Sequence, residues 1–138
     1  MKLIYTLFFF LMTLFGYSQN WILVGKDKIK NEFYIKSTYV SKQGANDEII
    51  KIWTKKIYTT FNDNSEGKNT TYQNAYFIEL ALFDCSNNKY KLISTTAYRS
   101  NGVVIYDRTY SESTQDWEYA VPDSVGEAVL KKVCNTFN

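Results

Sequence analysis

The sequence predicts an α+β fold: an antiparallel β-sheet of about six strands, with a C-terminal α-helix packed on one face and clamped by a disulfide. Three observations carry this expectation. Segments rich in tyrosine, phenylalanine and β-branched residues, which suit a pleated half-buried surface, recur between short turn signals. The run 121–135, "VPDSVGEAVLKKVCN", combines helix-start chemistry with helical periodicity. Cys85 ends the most apolar strand and Cys134 lies in the helix.

The first 18 residues read as a secretory signal peptide. Lys2 supplies the positive start, residues 3–15 the apolar core, and Gly16 and Ser18 the small residues before the cleavage point. A membrane-spanning helix needs about 20 apolar residues. This run stops short of that and is followed at once by Gln19 and Asn20. No cysteine lies near the cleavage point, so no bacterial lipid anchor is expected. The mature chain is expected to begin at Gln19 or Asn20, with residues 19–138 forming one modest domain, exported to the periplasm, the cell surface or the medium.

Formal net charge is +2, and loss of Lys2 leaves +1. That is no basic footprint, so nucleic acid is not an expected partner. Aromatic residues make up 17% of the chain, twelve of them tyrosine, which favours strands.

In chain order, residues 21–24 form a short apolar strand and 33–40, "FYIKSTYV", a second. "SKQGAND" supplies turn residues. Residues 49–60 alternate: Ile49, Trp53 and Ile57 share a face with Lys51 and Lys55, while Ile50 and Ile52 lie on the other. Residues 61–73 are polar and read as the longest loop; the sequon at Asn69 reads as chance.

Residues 74–85 read as the central strand, apolar on both faces, with Tyr76, Ile78, Leu80 and Leu82 on one and Phe77, Ala81 and Phe83 on the other. "SNNK" turns the chain into a strand over 90–99. Asn101-Gly102 predicts a type I′ hairpin turn into 103–110, because both residues tolerate positive φ. "SESTQD" is a loop, and 117–121 leads to the helix.

In that helix Ser124 and Glu127 form a capping box, with Ser124 as N-cap. Pro122 fixes the approach of the chain. Asp123 and Glu127 suit the positive end of the helix dipole, Lys131 and Lys132 the negative end. Val125, Val129 and Val133, with Ala128, form the apolar stripe. A helix of about eleven residues is marginal alone and must bury that stripe on the sheet. Two cysteines in an exported chain are most simply one disulfide. A reactive thiol pair is the alternative, but it lacks the C-x-x-C spacing that lowers a thiol pKa.

The segments "FDCSNNKYKLIS", "SNGVV" and "DWEYAVPDSVGEAVLKKVC" place Cys85, Lys89, Tyr90, Gly102, Trp117, Pro122, Ser124, Gly126, Glu127 and Cys134 in an order and spacing that resembles the surface-adhesin protein E family. The likeness is close over 85–134 and looser before it, through Trp21 and the region 34–53. It implies an antiparallel sheet with a C-terminal helix on one face, a Cys85–Cys134 disulfide and a homodimer. It also implies an adhesin-like role, since the family includes an outer-membrane lipoprotein that binds host matrix and plasma proteins. This chain departs from that pattern in lacking a lipidation cysteine.

The chain has no histidine, which excludes Ser-His-Asp and Cys-His sites and His-ligated metal centres. No cofactor or metal is expected. Among the carboxylates only Glu79 stands out, alternating with apolar residues in the central strand. Trp53, Tyr98 and Tyr106 are the candidate binding residues, because Trp and Tyr are favoured at interfaces; Trp117 reads as packing.

Three readings follow: an exported binding or adhesin-like domain with a protein ligand, a structural envelope protein, and an enzyme using carboxylates alone. An exposed aromatic patch with nearby lysines favours the first, a uniformly polar surface the second, a deep pocket containing Glu79 the third. One helix covers only one face of the central strand, so the other needs a curled sheet or a second copy of the chain.

Overall fold

The computed structural model describes residues 20–64, 67 and 69–137; the expected signal peptide lies outside them. The elements are β1 (Trp21–Lys26), β2 (Glu32–Lys36), β3 (Ser41–Gln43), β4 (Ile49–Asp63), β5 (Thr70–Asp84), β6 (Lys89–Tyr98), β7 (Val104–Thr109), β8 (Glu118–Tyr119) and α1 (Val125–Phe137). All strand pairs are antiparallel, in one open sheet of eight strands ordered β1-β2-β4-β5-β6-β7. The short strands β3 and β8 lie off this path, paired to lengths of β4 and β6 that β2 and β7 leave free.

β4 and β5 form the spine, two 15-residue strands in one long hairpin. The expected loop over 61–73 is mostly strand. Phe61 pairs with Tyr72 and Asn62 with Thr71, whose hydroxyl donates to the Asn62 side chain at 2.8 Å. Cross-strand pairing carries polar residues that no apolar pattern marks as strand. The strand expected over 33–40 is likewise cut at Lys36, and the "SKQ" of the expected turn becomes β3; the turn is confined to the residues after it, where Gly44 and Asp47 take positive φ.

The hairpin after β6 also differs from expectation. Gly102 has φ +87° but Asn101 does not adopt positive φ. Gly102 N–H donates to Arg99 C=O at 2.9 Å and Arg99 N–H to Val103 C=O at 2.8 Å, which closes a three-residue loop ending in a left-handed glycine. At the β5–β6 turn, Asp84 accepts from the backbone and side chain of Asn87 at 3.0 and 2.9 Å.

One sheet face carries the core. Phe33, Ile35, Ile50, Ile52, Ala81 and Phe83 meet Val129, Leu130 and Val133 of α1. Towards the tip of the long hairpin Phe77 packs edge-on against Tyr58 and Phe61, each 5.0 Å away between ring centres, and against Tyr106 at 6.0 Å. The helix stripe is shifted from expectation: Ala128 is exposed and Leu130 is 2% exposed.

The Cys85–Cys134 disulfide joins the end of β5 to the last turn of α1, with Cα atoms 5.7 Å apart. At the other end of α1, Ser124 Oγ accepts from Glu127 N–H at 3.2 Å. Glu127 Oε2 accepts from Asp123 N–H at 3.0 Å, and Lys131 lies 2.7 Å from Glu127. The bond from Lys131, then the one from Asp123, hold the Glu127 carboxyl below its usual range. Lys131 therefore serves Glu127 rather than the helix C-terminus, and no basic residue stands in the last turn. Ser124→Ala is expected to cost about 1 kcal/mol by removing the N-cap; an unchanged denaturation midpoint would show that the cap does not hold the helix start.

Candidate binding surface

Among the described residues no helix covers the second sheet face. Its rows follow from the register. Trp53 pairs with Leu80, Lys55 with Ile78, and Ile57 with Tyr76, which pairs in turn with Tyr98. β2 adds Tyr34 opposite Lys55, and β1 adds Leu23 opposite Tyr34. Most of these side chains are half-buried, and Leu23 is 47% exposed. Alternation with period two sends every second residue of each strand here, while the intervening ones enter the core.

The aromatic rings on this face are ordered by each other and by lysines. Tyr76 stacks on Tyr98 with ring centres 4.9 Å apart. Lys55 Nζ lies 5.2 Å from the centre of the Tyr76 ring, and Lys36 Nζ 5.0 Å from that of Trp21. Lys26 pairs with Glu32 at 2.5 Å, and Glu32 also accepts from the Tyr34 hydroxyl. Those two bonds, Lys26 first, lower the Glu32 pKa, while the same carboxylate raises that of Tyr34.

One end of the face is strapped. Lys51, Leu82 and Lys91 form a cross-strand row. Lys51 pairs with the Glu112 carboxylate, Lys91 Nζ donates to Glu112 C=O at 2.6 Å, and Lys91 sits over the Trp117 ring at 4.9 Å. Leu82 is buried in consequence, so Trp117 belongs to the strap.

The three sequence-derived candidates separate. Trp53 and Tyr98 share the helix-free face, in register with Leu80 and Tyr76. Tyr106 pairs with Ala97 and packs on Phe77, which places it on the core face. The register shift between Ala97 and Tyr98 accounts for this, since one extra residue exchanges the faces of everything beyond it. Tyr76 and Lys55 complete the surface; their period-two spacing from Trp53 and Leu80 was the signal that could have found them.

Glu79 lies on the core face in a cleft of about 330 Å³ between the start of α1 and the sheet. Phe33, Phe83, Leu92 and Val129 give it apolar walls. Lys56 Nζ lies 2.8 Å from Glu79 Oε2, and the Thr54 hydroxyl reaches the same oxygen at 3.4 Å. Burial pushes the Lys56 pKa down, but attraction and hydrogen bonding from Glu79 outweigh it and leave the ammonium above its usual range. The stability linked to the raised Lys56 pKa is fully present below the ordinary lysine pKa and is lost as pH rises through the elevated one. Sequence reasoning did not single out Lys56, although period two from Ile52 places it on the face of Glu79.

Among the described residues no group of three or more His, Cys, Asp or Glu side chains could hold a metal ion. No helix among them is long and apolar enough to cross a membrane.

Comparison with known proteins bears on this geometry. A solved structure similar to this chain is the crystal structure of protein E from non-typeable Haemophilus influenzae, with 15% identity, a TM-score of 0.47, and coverage of 86% of this chain and 77% of that one. No curated protein matches the chain. The model of the family described as surface-adhesin protein E matches residues 21–135, which run from β1 through the disulfide-bonded end of α1. A match over that span, most of the chain, establishes that the chain belongs to the surface-adhesin protein E family.

Proposed function

We propose that this chain is an exported, non-enzymatic binding domain that contacts an extracellular or envelope protein through its helix-free sheet face. The observation that carries the reading is the surface of Trp53, Tyr76, Tyr98, Ile78 and Leu80, interleaved with lysines and left without a helix. Trp and Tyr supply large contact area at small cost in side-chain entropy, and such residues dominate interface energetics. Family membership supports an adhesin-like role. Glu79 does occupy a pocket, but its Oε2 is engaged by an ammonium and a hydroxyl, and both cysteines are tied in a disulfide. The reading as a binder therefore stands over one as a carboxylate enzyme.

The test measures binding of the mature domain to immobilised extracellular-matrix extract. Trp53→Ala is expected to weaken binding by about 2 kcal/mol, roughly thirtyfold, while Ala substitution of the exposed Lys132 leaves it unchanged. Equal binding by the Trp53 variant would remove this face from the reading. Protease treatment of intact cells, with loss of the chain expected, separates surface display from periplasmic residence.

A second reading rests on the same uncovered face: two copies meet through it about a twofold axis. Light scattering at micromolar concentration decides it, since a clean monomer of the mature mass removes the dimer.

A further inference from the structure

We propose that the cleft beside the start of α1 is a second binding site, one that takes the backbone N–H and C=O of one extended peptide residue with an aliphatic side chain. It lies on the opposite sheet face from Trp53 and is independent of the function proposed above.

The chemistry of the cleft selects the ligand. Both protein contacts to Glu79 fall on Oε2, leaving Oε1 without a hydrogen-bond partner among the described residues. Lys56 directs one of its three N–H donors to Glu79 and has no other protein partner among them. The cleft thus offers an open acceptor beside an open donor. A lysine ammonium has three donors and a carboxylate has acceptor sites on both oxygens.

The two charges cancel. An anion entering here gains Lys56 and is repelled by Glu79; a cation meets the reverse. Either also loses its hydration, which a balanced pair does not return. A neutral extended peptide residue uses both groups at once: its own N–H and C=O point to one side, the N–H donating to Glu79 Oε1 and the C=O accepting from Lys56. Charge-assisted bonds of this kind are stronger than neutral ones. Lys55 and Glu118 also line the cleft, one charge of each sign, which keeps the balance; Glu118 is exposed and interacts with the Tyr90 hydroxyl.

The remainder of the cleft sets the flank. Phe33, Phe83, Leu92 and Val129 present carbon, and an aliphatic side chain next to the amide would displace water from them. A volume of about 330 Å³ accommodates one residue of an extended peptide rather than a folded surface.

The test is a ¹H–¹⁵N NMR titration of the mature domain with three probes of similar carbon skeleton: N-acetyl-leucinamide, 4-methylpentanoate and isopentylamine. The amide is expected to shift the Val125, Gly126 and Val129 signals in a saturable way, and the two ions to shift them far less. Glu79→Gln is expected to weaken the amide probe about tenfold, and Trp53→Ala to leave it unchanged. Equal response to an ionic probe would overturn the amide assignment, and no response to any probe would overturn the site. The wild-type comparison decides the matter even if Glu79→Gln fails to fold.

Discussion

Cys134→Ala is expected to lower stability by about 2–5 kcal/mol. The disulfide spans 49 positions, and closing a loop of that length is worth about 4 kcal/mol on the chain-entropy model. Its placement adds to the argument. α1 is 13 residues long and reaches the sheet through three buried side chains, and a helix of that length is marginal without packing. Cys85 lies one residue beyond the buried Asp84, and its N–H donates to Glu48 C=O at 2.9 Å, so the anchor point is rigid. Chemical denaturation of the mature chain measures the loss. Because both residues act through one bond, the Cys85→Ala/Cys134→Ala double variant should lose no more than about 0.5 kcal/mol beyond the single variant. A Cys134→Ala protein as stable as wild type would show that packing alone retains the helix.

Leu130→Ala is expected to cost about 2–5 kcal/mol, whereas Ala128→Lys should stay within about 0.5 kcal/mol. Leu130 is 2% exposed between Val129 and Val133 and completes the contact with Ile35, Ile50 and Ile52. Removing its side chain leaves a cavity under the only helix among the described residues. Ala128 points to solvent one position before the buried run. Thermal or denaturant unfolding of the two variants checks the pair. Comparable losses would mean that the helix is rotated from the orientation described.

These two expectations differ in how far the sequence anticipates them. The disulfide was legible because an expected export signal and a cysteine count of two leave few alternatives. The helix was legible because its cap, its periodicity and its terminal cysteine agree. Its orientation was not. Val125, Val129 and Val133 define the stripe equally well with Ala128 or with Leu130 at the margin; at about 100° per residue these two lie about 160° apart, on opposite margins. Only the shape of the sheet decides which margin is buried.

The strands divide in the same way. Alternation of small period is local, so the sequence by itself determined where β4, β5 and β6 run and that Glu79 alternates with apolar neighbours. It also determined the C-terminal helix, its cap and the covalent clamp. The tertiary structure decided the rest. The long hairpin extends to Asp63 and Thr70 because partners across the strand satisfy polar residues, which is information absent from either strand alone. Tyr98 and Tyr106 part to opposite faces because one irregularity in the β6–β7 register shifts the alternation. Lys56 meets Glu79, and Trp53 lies in register with Leu80, through pairings that join residues more than 20 positions apart. Local propensity sets which segments become strands, but the side a residue faces and the group it meets depend on register, which only the assembled sheet fixes.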